Sequence, residues 1–199
     1  TLRAGLSVPR AGSDLFSFTQ EQLTVDKGDW NMPVFEGRFA IRATDRVDVM
    51  LTVGGGASTT RSESREWEGT DGLPIEQTTR FYTGGLTFGA KAYLLDRGRT
   101  VGQFAWVPAK WAPYVGADAG WAFHEFKQDG EFVDYETLDI FEDHFYSDGA
   151  TPTVQALAGV DVGLNNRVLL NAEARYRWAS DELDYDFIGF DKLDLAGFQ

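Results

Sequence analysis

In the stretch Arg167 to Trp178, RVLLNAEARYRW, polar and apolar side chains alternate from Leu170 onward. Val168, Leu170, Ala172, Ala174, Tyr176 and Trp178 fall on one face, and Leu169, Asn171, Glu173, Arg175 and Arg177 on the other. A sustained period of two marks a β-strand, because successive side chains point to opposite sides of a sheet. An ordinary strand runs for about 5–6 residues, whereas a tilted strand that crosses a bilayer takes about 9–11. Alternation this long restricts the chain to large sheets or barrels.

The same pattern recurs at Leu2–Val8, Phe35–Arg42, Arg46–Ser58, Phe81–Leu94, Pro113–Phe123, Val154–Leu164 and Leu193–Phe198. With Arg167–Trp178 that gives eight expected strands, and helical periodicity is almost absent. Thr44-Asp45-Arg46 and Asn165-Asn166-Arg167 read as tight turns, whereas residues 11–31, 59–78, 127–152 and 179–192 read as long loops. The segment Leu95–Trp111 breaks this rule by being long at the short-turn end; its Trp106 and Trp111, with Pro108 and Lys110 between them, suit a membrane surface. The expected fold is all-β: one domain over 1–199, an eight-stranded antiparallel up-and-down transmembrane β-barrel with long acidic extracellular loops and mostly short periplasmic turns. The chain opens directly on TLRAGLSV, as a mature or trimmed form does.

Composition removes several classes. Thirty-one acidic against 18 basic side chains leave a net charge of −13, which disfavours nucleic acid because phosphates need Lys and Arg. The absence of Cys removes disulfides, thiolate nucleophiles and Cys-ligated zinc. No run of about 20 apolar residues offers a membrane-spanning helix. The four long loops hold 22 of the acids and only 5 of the bases, so the acidity belongs to them.

A soluble lipocalin-like barrel or sandwich would alternate too, with its aromatics as core. The face identities favour a membrane barrel. One face is rich in Ala, Val and Leu, with Tyr93, Trp111, Trp121, Phe123, Tyr176 and Trp178 near strand ends as membrane-interface aromatics. The other mixes glycines with six basic and five acidic residues: Arg3, Glu36, Arg38, Arg42, Asp48, Lys91, Asp118, Asp161, Glu173, Arg175 and Arg177. Such a nearly neutral set, with small residues between, suits an ion network inside a narrow lumen, where an unpaired charge would be very costly. Met50 and Leu157 also face inward, and Gly54-Gly55-Gly56 is read as relieving crowding or allowing a bend.

In this pattern the whole chain resembles the small eight-stranded outer-membrane barrels of Gram-negative bacteria, of the OmpA, OmpX and OmpW kind. Tyr114–Phe123 (YVGADAGWAF) and Leu157–Trp178 look most like the fifth to seventh strands of such domains. The resemblance implies an outer-membrane location with loops extracellular, and contact with outer-membrane lipid and lipopolysaccharide. Members end on a strand closed by Phe, whereas this chain stops at Phe198-Gln199, so its last strand reads as truncated or atypical.

No cofactor is expected. Asp181-Glu182 with Asp184 and Asp186, or Glu142-Asp143 with Asp148, are the places where loop-bound Ca2+ or Mg2+ would sit. A non-enzymatic role is expected, structural or a surface for a protein partner met through the extracellular loops. A narrow OmpW-like channel for small solutes is the alternative. A rim-site hydrolase is the third reading: it would need His124, or His144 with Asp143, Ser147 and Asp148, the two histidines being the only ones in the chain.

Overall fold

In the computed structural model, which describes residues 1–69, 72–101, 105–164 and 168–199, the alternating segments become eight antiparallel strands. They are β1 (Leu2–Pro9), β2 (Met32–Arg42), β3 (Val47–Glu68), β4 (Pro74–Tyr93), β5 (Trp111–Val133), β6 (Ile140–Gly163), β7 (Leu169–Trp178) and β8 (Gly197–Phe198). Each pairs with its neighbours in sequence, and β8 pairs with β1, so the sheet closes into a barrel. Side chains at one parity point in and the other parity out; on β7, Arg175 and Arg177 are buried while Trp178 is exposed.

The strands are longer than expected. β5 and β6 run for 23 and 24 residues and stay paired from Trp111↔Val162 to Val133↔Ile140. The segments 59–78 and 127–152 are therefore mostly continued hairpins, because the alternation persists through their charged residues. Among the described residues of 59–78, Ser62, Ser64, Ile75 and Gln77 keep the inward parity.

Residues 11–31 are also no open loop. They hold a helix, α1 (Asp14–Gln22), and a 3-10 turn at Lys27–Trp30. A nine-residue helix is marginal alone. Docking holds it, since Leu15, Phe16 and Thr19 share its buried face. Phe16 meets Trp30, Phe81 and Phe126 edge-on at 5.0, 5.3 and 6.1 Å, and Phe187 closes on Phe126 at 5.5 Å. These rings fill the barrel mouth.

The expected strand Leu193–Phe198 divides in two. Leu193–Asp194 pairs with Ser180–Asp181, and only Gly197–Phe198 enters the barrel, extended by reciprocal Gln199–Arg175 backbone bonds. Below that level, among the described residues, no strand lies between β1 and β7. At the other end, Ala43 and Thr44 amides close the β2–β3 turn on the Val47 carbonyl. Leu95–Trp111 carries a small hairpin, Gly98–Val101 with Ala105–Pro108. The expected turn at 165–167 and the Trp106 side chain lie outside the described residues.

Candidate functional site

Inward parity on β1, β2 and β7 brings Arg3, Glu36, Arg38, Glu173 and Arg175 together in the lumen. Glu173 is the hub. Its Oε1 accepts hydrogen bonds from Arg3 Nη1 (2.6 Å), Arg38 Nη2 (2.9 Å) and Arg175 Nη2 (2.9 Å). Its Oε2 accepts from Arg38 Nη1 and from the Tyr114 hydroxyl, both at 2.7 Å. Arg175 turns its fork on Glu36 at 2.6 and 2.8 Å, and Arg38 Nε donates to Thr52 Oγ1 at 3.1 Å. Two-pronged Arg–carboxylate pairs are among the strongest side-chain contacts. Gly54 makes room for this, because a Cβ there would sit 2.6 Å from Glu36 Cγ and 2.5 Å from the Phe35 carbonyl oxygen.

A second cluster lies towards the turn end. Asp161 Oδ2 accepts from the Tyr93 hydroxyl (2.6 Å) and Lys91 Nζ (3.2 Å), and its Oδ1 accepts from Asn171 Nδ2 (2.6 Å). The Lys91 ammonium also sits 4.8 and 4.3 Å from the ring centroids of Tyr93 and Tyr114. Asp48 Oδ1 accepts from Arg97 Nη1 at 2.6 Å. Tyr114 joins the two clusters, donating to Glu173 and accepting from Asn171. Asp118 and Arg177 are buried in one row, on either side of Gln155 in the ladder, and among the described residues neither joins an ion pair.

Two residues stand elsewhere than expected. Arg42 is on the surface, its side chain 49% exposed and paired with Asp45, because β2 has reached its turn and the guanidinium swings out to the nearest carboxylate. Tyr93 is inside, since it shares the parity of Lys91 and its hydroxyl finds two carboxylates there. Trp111, Trp121, Phe123 and Trp178 are exposed on the outer surface, and Tyr176 packs there on Trp178 and Phe198.

The strand pattern could not supply Arg97, which reaches in from the connection after β4. Tyr114, Asn171, Thr52 and Gln155 were readable from parity alone, but neutral polar residues stood out less than charges. The network leaves little space. Gaps of about 50 Å3 beside Glu173 and about 10 Å3 beside Arg177 flank it, and a space of about 400 Å3 lies at the turn end beside Asp48, Lys91 and Arg97.

At the mouth, buried His124 places Nδ1 3.3 Å from Asp181 Oδ2. His144 is exposed and Ser147 fully buried on opposite faces of β6, so these two do not meet. The loop carboxylates hold backbone instead of converging. Asp184 accepts from the Asp148 amide at 2.9 Å and Asp186 from the Tyr146 amide at 3.0 Å, tying the β7–β8 connection to β6. Among the described residues no three metal-ligating side chains gather closely enough to hold an ion. Asp134, at the β5–β6 hairpin tip, has its carboxyl held below the usual range by the Glu136 and Thr137 amides. Neither a scan against protein-family models nor a search of curated proteins returns a match for this chain.

Proposed function

We propose that this chain is an integral outer-membrane protein of the Gram-negative eight-stranded kind, its lumen plugged and its hairpins displayed outside the cell in a structural or surface-interaction role. One observation carries the reading: the barrel is inside out for water. Phe39 and Trp111 are 66% and 60% exposed, while Arg175 and Arg177 are each 5% exposed in the interior. Soluble monomers rarely expose apolar patches beyond a few hundred Å2, and this belt surrounds the barrel. On β5 it runs from Trp111 to Trp121, with exposed Val115 between. Ten steps at about 3.3 Å, tilted about 40°, give a height of about 25 Å, the apolar band of such barrels. Above the belt the paired hairpins turn charged, which supports a reading in which the acidic residues stand in water within reach of lipopolysaccharide-bound cations.

The test is refolding from urea with and without short-chain phosphatidylcholine vesicles, followed by heat-dependent gel mobility and single-channel recording. Vesicle-dependent folding with no conductance is expected. A chain that folds as a monomer in plain buffer overturns the membrane reading, and ohmic current from folded protein replaces the plug with the channel.

A further inference from the structure

Above the aromatic core the structure holds a further cavity, of about 230 Å3, between α1, the β3–β4 and β5–β6 hairpins and the β7–β8 connection. An apolar cavity of about 150 Å3 already accepts benzene, so this one admits a ring with a short chain. Its floor is aliphatic, with Leu15, Leu23 and Ile75 buried. Its wall is aromatic: Phe132 stands edge-on to Phe145 at 4.5 Å, and Trp67 to Tyr135 at 6.4 Å. Exposed Phe18, Tyr135 and Phe141 form the rim.

The charge of the lining is one-sided. Among the described residues no Lys or Arg contributes to it, and Asp186 does. One oxygen of Asp186 is engaged by the Tyr146 amide, which fixes the carboxylate, and Oδ1 makes no hydrogen bond among the described residues. Aromatic faces attract cations and are indifferent or hostile to anions. The hairpins around the cavity are strongly acidic, which raises the local concentration of cations within about one Debye length, ~8 Å at physiological salt.

We infer that this cavity is a binding site for a small organic cation with an apolar body, an amine or quaternary ammonium carrying an aromatic or short alkyl group. The apolar part fills the Leu15–Ile75 floor, and the cationic head rests among the rim rings with Asp186 beside it. The inference stands on the cavity and its charge, and holds whether or not the barrel below spans a membrane.

Calorimetric titration of the folded protein in a non-ionic detergent tests it with three probes of one shape: 4-phenylbutylamine, 4-phenylbutanol and 4-phenylbutanoate. The amine is expected to bind about tenfold tighter than the alcohol, and the acid most weakly. Asp186→Asn should bring the amine down to the alcohol. Ile75→Trp, which fills the cavity from its buried floor, and Tyr135→Ala, at an exposed rim position, should weaken the amine, with folding checked by gel mobility. Equal affinity for amine and alcohol overturns the cation assignment. No saturable binding by folded protein, or binding unchanged in both Ile75→Trp and Tyr135→Ala, overturns the site.

Discussion

The barrel interior has two levels with opposite chemistry. Around Glu173 it is filled by guanidinium and carboxylate groups that the strands themselves carry; around Phe16 it is filled by rings that connecting segments bring in from outside and pack on Phe81 of β4 and Phe126 of β5. The lower level needs near-complete pairing, because a charge without its partner has nowhere to find water. The upper level needs shape and volume, because rings gain from burial and edge-to-face contact wherever they fit. The two halves should therefore fail differently when altered.

The largest effect is expected from Glu173→Leu, which removes the shared acceptor of Arg3, Arg38 and Arg175 and should destabilise by about 3–5 kcal/mol. Urea unfolding from vesicles measures it, and an unchanged midpoint would erase the contrast between the levels. Adding Arg38→Leu to that variant should recover part of the loss, since it removes one of the stranded charges.

Phe16→Ala should cost about 3 kcal/mol through the cavity it opens at the mouth. Proteolysis should then cut α1 while leaving the barrel strands intact; simultaneous loss of both would show one cooperative unit in place of two levels. Gly159→Ala should cost about 1–3 kcal/mol by overpacking, because the new methyl group would lie 2.5 Å from the Tyr114 hydroxyl that links the ion clusters. A crystal structure of that variant would show whether Tyr114 leaves Glu173. Arg42→Ala, on the surface beside Asp45, should change stability by less than about 0.5 kcal/mol. A loss comparable to that of Glu173→Leu would return Arg42 to the network.

The lower level was largely legible because a strand's parity is local. Once Arg167–Trp178 reads as a strand, Glu173, Arg175 and Arg177 must share a face. Arg42 and Arg97 lie where that rule stops. Arg42 is the last residue of β2, where turn geometry outweighs parity. Arg97 comes from a connection with no alternation to read. Tyr93 looked like an interface aromatic by type, although its parity with Lys91 already put it inside.

The upper level was not legible. Leu15, Phe16, Thr19 and Leu23 carry a helix-like spacing, but nine helical residues hold together only against a mouth whose rings come from β4, β5 and the β7–β8 connection. The acidic segments misled for a related reason. Their charge marked them as solvated, and the outward half is; the inward half, with Ser62, Ser64 and Gln77, continues the sheet and lines the head.

The sequence by itself determined the strand number, the two faces and the separation of apolar belt from ionic lumen, because alternation is a property of neighbouring residues. Tertiary structure alone decided which carboxylate each arginine meets, how far the hairpins continue and what fills the mouth. Those outcomes depend on residues far apart in sequence, such as Arg38 with Glu173 and Phe16 with Phe126, which meet only once the barrel has closed.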